Sequence, residues 1–173
     1  MRLGAGPIRW ANIQSLHDSD LEVHCARVRA VGLDVSSDLF EQLFHELHSD
    51  PVFASVVQSI DWSNVTWREK DLSGSAFLDV LVPREYAHAV DEAHDRTAEM
   101  GVQDQRPEVL DHWLDSSTWF RSPVIVSGRP AGAATSYTLL VGCTRVGNLL
   151  GLMERGDVSP RVRHRVWVGS GVG

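Results

Sequence analysis

Apolar positions recur at helical spacing through much of the chain. Leu39, Phe40, Leu43, Phe44 and Leu47 stand at i, i+1, i+4, i+5 and i+8 behind Ser37 and Asp38, and Val52, Phe53, Val56, Val57 and Ile60 repeat that stripe. Each set makes one apolar face of a helix. Asp50-Pro51 between them supplies a cap and a first-turn proline, so a helical hairpin is predicted. Upstream, Leu21, Cys25 and Val28 follow Ser19-Asp20-Leu21-Glu22, which has the spacing of a capping box, and Gly32 can end that helix. Leu21, Val23 and Cys25 also alternate, which leaves a strand as the competing reading. The first eighteen residues hold no period and are predicted to pack as an irregular arm.

Further along, residues 61–76 read as a linker or long loop, with Trp62 and Trp67 docked on neighbouring helices. Phe77 to Val82 reads as a short strand ended by Pro83. A long helix is predicted from Arg84 to Met100, with Tyr86, Val90, Ala93 and Thr97 along one side and Gly101 as its stop. Arg106-Pro107-Glu108 opens another, whose apolar side is Val109, Leu110, Trp113 and Leu114. Pro123–Ser127 and Tyr137–Val141 are predicted as buried strands of one hairpin around the turn residues Gly128 to Gly132. Arg145 to Glu154 carries Val146, Leu149, Leu150 and Met153 at helical spacing before Gly156. Arg161 to Val168 alternates and reads as a last strand, with Gly169 to Gly173 as a frayed tail.

At 173 residues and 43% hydrophobic composition the chain suits one ordinary domain, or one domain with a helical extension. No apolar run approaches a membrane span, and the first residues lack the apolar core of a signal peptide, so a cytoplasmic protein without a membrane partner is expected. Cys25 and Cys143 are too few and too far apart for a disulfide framework or a zinc cluster. His45 and His48, three apart at a helix end, are explained by the helix dipole, and the charged face of the helix over 84–100 (Glu85, His88, Asp91, Glu92, His94, Asp95, Glu99) reads as solvated, with nothing that selects metal ligands.

Charge changes the picture more than composition does. Residues 1–120 carry 21 acidic and 9 basic side chains, a net of −12, whereas residues 121–173 carry 2 acidic and 7 basic, a net of +5. All seven basic residues of that end are arginines: Arg121, Arg129, Arg145, Arg155, Arg161, Arg163 and Arg165. Arginine grips phosphate through paired hydrogen bonds. In the same end, a strand delivers the chain to Gly142-Cys143-Thr144-Arg145 at the start of a helix. Glycine permits the tight turn, the free amides of the helix start face outward, Thr144 offers a hydroxyl and Arg145 a charged fork. This is chemistry suited to an anion.

The order of helix, Pro-Val-Ile-Val strand, hairpin, second strand and Gly-x-x-Arg helix start resembles the ParB/sulfiredoxin-like superfamily, which includes the ParB-like nuclease domain, and is closest in flavour to uncharacterised bacterial ParB-like proteins. The resemblance covers about half the chain, from Phe77 to Val168. It implies an α+β fold, a small mixed sheet with packed helices over residues 77–173; the N-terminal helical segment read from the residues over 1–76 has no counterpart in it and is expected to form one compact unit with it. It also implies that Gly142, Cys143, Thr144 and Arg145 hold the phosphates of ATP or CTP with Mg2+, and that Arg106, Trp119 and Arg121 add ligand contacts. NTP hydrolysis, phosphoryl transfer or phosphodiester cleavage would follow from such a site, although no catalytic residue is identified. Glu108, Asp111 and Asp115 read as the solvent side of a helix. Position 143 is Cys where ParB-like boxes commonly have His or Glu. Sulfiredoxin boxes read Gly-Cys-His-Arg and use that cysteine as nucleophile, so Cys143 stands open as a thiolate favoured by the helix start and Arg145, or as a small buried residue. The alternative function is a non-catalytic DNA-associated or regulatory adaptor, meeting DNA through Arg161, Arg163 and Arg165 and a protein through the acidic helical part.

Overall fold

Val124, Ile125 and Val126 are all buried, so their strand must be covered on both faces, and that requirement organises the molecule. The computed structural model describes residues 6–104, 106–128 and 137–171. It is an α+β protein with a four-stranded mixed sheet. The strands are β1 (Thr66–Ser73), β2 (Val124–Ser127), β3 (Tyr137–Val141) and β4 (Arg163–Ser170), in the order β1-β4-β2-β3. β2 and β3 pair antiparallel as the hairpin pattern predicts, β4 lies parallel to β2, and β1 runs antiparallel to β4.

Helices α1 (Trp10–Gln14), α2 (Leu21–Ala30), α3 (Ser37–Phe40) and α4 (Pro51–Val57) cover one face. Their core, with Trp10, Phe40, Phe44, Phe53 and Trp62 at its centre, takes Val124, Val126 and Leu140 from the sheet. Helices α5 (Arg84–Met100), α6 (Pro107–Ser116) and α7 (Cys143–Arg155) cover the other, where Ile125, Leu139, Val166 and Val168 meet Val90, Trp113, Val146 and Leu149. Successive residues of β2 therefore serve opposite cores, as the two-residue period of a strand requires.

α5 and α7 approach closely because Gly147 and Gly151 stand one turn apart on α7. A Cβ at Gly147 would collide with Val90 O and come within 2.7 Å of Ala93 Cβ, and one at Gly151 would reach His94 O at 2.6 Å. Thr97 Oγ1 donates to Asn148 Oδ1 across 2.9 Å inside that contact.

Several expectations need correction. The arm before residue 19 holds α1, whose Trp10 and Ile13 are buried. The alternating reading of 21–30 gives way to helix α2, capped by Asp20 rather than Ser19: one Asp20 oxygen accepts from the amides of Glu22 and Val23. The linker expected over 61–76 contains all of β1. Thr66-Trp67-Arg68-Glu69-Lys70-Asp71 hides this, because a charged edge strand shows no buried alternation. The strand expected over 77–82 is instead a 3-10 turn, Gly74–Asp79, after which, among the described residues, Leu81 makes an isolated bridge to Thr138. Leu114 points to solvent, 72% exposed. Gly169 and Ser170 belong to β4 rather than to a frayed tail. Most of the turn expected at Gly128 to Gly132 lies outside the described residues, as do Gly173 and Val172.

The helix after α3 also departs from the expected pattern. Glu41–His45 continues as a π-helical turn, with Glu46 N bonded to Glu41 O at 2.9 Å. The wider turn buries Gln42 together with Leu43 and Phe44. That inserts a polar side chain between the N-terminal helices and the start of α7.

Candidate functional site

Gly142 caps α7 with φ 104°, a left-handed conformation that glycine adopts without strain. A Cβ there would lie 3.0 Å from Pro123 Cβ and 3.1 Å from Arg145 Nε, so both the turn and the space require glycine. Because the cap has no side chain, no side-chain bond closes the helix start. The first amides of a helix have no partner within it.

Arg145 folds back beneath this turn. Its Nη1 donates to Gln42 Oε1 at 2.8 Å, to Arg121 O at 2.6 Å and to Ser122 O at 3.2 Å. Among the described residues no carboxylate lies within ion-pair distance of it. Burial, helped by the nearby Arg121 charge, pulls the guanidinium down to about 10, while Glu46 and Asp38 only partly offset this. The arginine is thus a half-buried cation whose charge the described residues leave largely unmatched.

Arg121 is matched fully. Its Nε donates to Asp38 Oδ1 at 2.7 Å, Nη1 to Glu46 Oε1 at 2.8 Å and Nη2 to Glu41 Oε2 at 2.7 Å. Asp38 also accepts from Gln42 Nε2 at 3.0 Å and Trp167 Nε1 at 3.0 Å. Burial would raise the Asp38 carboxyl, but the hydrogen bonds from Arg121 and Trp167 outweigh it and hold it low. Gln42 therefore links Arg145 to an ion-pair network spread over α3, the π-helical turn and the segment before β2.

A cavity of about 460 Å³ opens beside these groups, lined by Gly142, Cys143, Thr144, Arg145 and Asn148 of α7, and by Glu46, Arg106, Glu108, Trp113 and Phe120 around it. Its size is that of a small-molecule site. The structure thus brings Arg106 and Arg121 to the box residues. Arg106 is held at the rim by paired bonds to Asp104, both 3.0 Å. Trp119 is placed elsewhere: it is a core residue, 4% exposed, whose indole donates to Arg165 O at 2.7 Å. The Cys143 thiol is raised, because burial outweighs its own amide and the Arg145 charge. Arg163 and Arg165 lie on the exposed face of β4 beside Asp71, whose backbone oxygen accepts from Arg163 and whose carboxylate lies 3.9 Å from Arg165. Glu69 and Asp71 thus share the surface with these arginines, which is mixed in charge.

The structure also gathers residues that the sequence leaves apart. His17 and His24 join His45 and His48, with His24 fully buried and its Nδ1 3.2 Å from His45 Nδ1. Burial first, then the neighbouring imidazoles, lowers His24 to about 4. A last-turn dipole effect does not describe this arrangement. The signal absent from the sequence is proximity, since His17 lies in the turn after α1, His24 on α2 and His45 on the π-helical turn.

Compared with protein-family models, curated proteins and solved structures, the chain matches none. No helix among the described residues is long and apolar enough to cross a membrane.

Proposed function

We propose that the cavity at the start of α7 binds the phosphate groups of a nucleotide, ATP or CTP with Mg2+, in the manner of a ParB/sulfiredoxin-like domain. The observation that carries this reading is Arg145, a half-buried guanidinium with no carboxylate partner among the described residues, set behind a helix start that no described side chain closes. An anion there meets the positive end of the helix, the Thr144 hydroxyl and a cation whose charge it would balance. Exposed Phe120 at the cavity wall offers an aromatic surface to a base. Glu108 is a carboxylate that phosphate-bound magnesium would meet, a role the resemblance alone did not assign.

Arg145 also ties Gln42 to the backbone before β2, so its first role is to hold the cavity wall, and its second is to carry charge to the ligand. The test is a thermal-shift panel of ATP, CTP, GTP and UTP, each with and without magnesium. Wild type is compared with Thr144→Asp, which places a negative charge on the exposed face of the helix start and favours the helix itself. Stabilisation by ATP or CTP that is lost in Thr144→Asp supports the reading. Absence of any shift with all four nucleotides overturns it.

A further inference from the structure

Four imidazoles meet where the turn after α1, helix α2 and the π-helical turn come together. His24 of α2 and His45 of the π-helical turn face each other through Nδ1 atoms 3.2 Å apart. Two nitrogen ligands at 2.0–2.1 Å from tetrahedral zinc stand about 3.3 Å apart, so this separation is already that of a ligand pair. His17 completes a triangle in which one ring nitrogen of each of His17, His24 and His45 lies within 4.8 Å of the others.

The cluster contains a polar atom that the protein leaves unanswered. His17 Nδ1 is buried with no hydrogen-bond partner among the described residues. A buried polar nitrogen without a partner is destabilising, and neutral imidazole nitrogen is a favoured ligand of borderline divalent metals. Hydrophobic packing alone would be served as well by leucine or phenylalanine, without that cost.

The surroundings are also built to hold the rings. Arg27 Nη1 donates to His17 O at 3.3 Å, and its Nη2 pairs with Asp18 Oδ2 at 3.0 Å, fixing the turn that carries His17. Gln14 Nε2 donates to His48 O at 2.7 Å. His48 Nδ1 donates to His45 O at 2.8 Å, and its ring stacks on His17 at 3.3 Å between centroids. These contacts fix the backbone that carries His17, His45 and His48, and the His48 ring covers one face of His17.

We propose that His17, His24 and His45 bind a divalent transition-metal ion of the zinc type, with His48 packed on His17 as an outer support and the fourth position left to solvent. The site lies among the N-terminal helices and shares no residue with the lining of the anion cavity. Because its ligands come from three separate segments, the ion ties the turn after α1, α2 and the π-helical turn together.

The full chain, stripped with a chelator and titrated with Zn2+ against a chromophoric competitor, tests this. One equivalent is expected to bind, with a rise in Tm, and Co2+ is expected to give visible absorption bands of low coordination number. His17→Gln and His45→Gln, both at half-buried positions, are each expected to weaken binding by more than the roughly 10–100-fold that loss of an outer partner costs. His88→Gln, on an exposed part of α5, leaves it unchanged. Circular dichroism of each variant separates loss of ligand from loss of fold. Failure of natively folded wild type to bind one equivalent, or equal affinity in wild type and folded His17→Gln, overturns the proposal.

Discussion

The guanidinium of Arg145 donates across 2.8 Å to the side-chain oxygen of Gln42, a residue with no exposed surface on the π-helical turn. This one bond joins the helix that opens the candidate anion site to the N-terminal helices 103 residues earlier. The same nitrogen also holds the carbonyls of Arg121 and Ser122, so the arginine fixes the chain entering β2 against both.

Replacing that guanidinium should cost stability even without a ligand. Arg145→Met keeps most of the apolar stem but leaves Gln42 and two backbone oxygens without their donor. A loss of about 1.5–3 kcal/mol in urea unfolding is expected, the range for bonds to a charged group. Gln42→Leu should show a coupling with Arg145→Met of about 1 kcal/mol or more in a double-mutant cycle. Additive effects would mean that the bond is incidental.

The close contact of α5 and α7 predicts the second outcome. Alanine raises helix propensity over glycine by about 1 kcal/mol, but at Gly147 its Cβ meets the backbone oxygen of Val90, which cannot move without its helix. Forced separation costs about 1–3 kcal/mol and strains the Thr97–Asn148 bond. Gly147→Ala is therefore expected to lower stability, whereas Leu114→Ala, at an exposed position, should stay within about 0.5 kcal/mol. Urea midpoints measure both.

The two readings of Cys143 separate by alkylation. A thiolate favoured by the helix start would react fast with iodoacetamide near neutral pH, but burial raises this thiol. Alkylation of Cys143 at pH 7 is expected to be slower than that of an unstructured cysteine peptide, with an apparent pKa above the ordinary thiol value. Fast reaction at pH 7 would restore the nucleophile.

Acid sensitivity follows from His164. It is fully buried on β4, with Nδ1 2.9 Å from Thr118 Oγ1, and burial lowers it to about 4 from 6.5. Between those values the unfolded chain binds the extra proton and the folded chain does not. The contribution of neutral His164 is therefore complete above pH 6.5, and is lost as pH falls towards 4. His164→Leu should flatten this part of the Tm profile against pH, and an unchanged slope would refute the assignment.

Much of the architecture could be read from the residues alone. The β2–β3 hairpin, the long helix ended by Gly101, the cap at Asp50 and the helix opening at Gly142 each follow from a local device: a buried apolar run, a left-handed glycine, or a side chain that accepts free amides. The cavity-lining residues of the box were legible for the same reason, since they are consecutive. β1 was not, because its apolar residues Trp67 and Leu72 are too few among charges to show a period, and its identity as a strand comes from pairing with β4.

What the sequence determined by itself is therefore the set of segments with strong local preferences, and the concentration of arginine at one end. What only the tertiary structure decided is where the long side chains and isolated histidines finish. Arg145 turns inward because two carbonyls and Gln42 converge there, Arg121 is neutralised by acids some 80 residues away in the chain, and His17, His24 and His45 meet across separate elements. Such encounters depend on packing between segments, and no local preference encodes them.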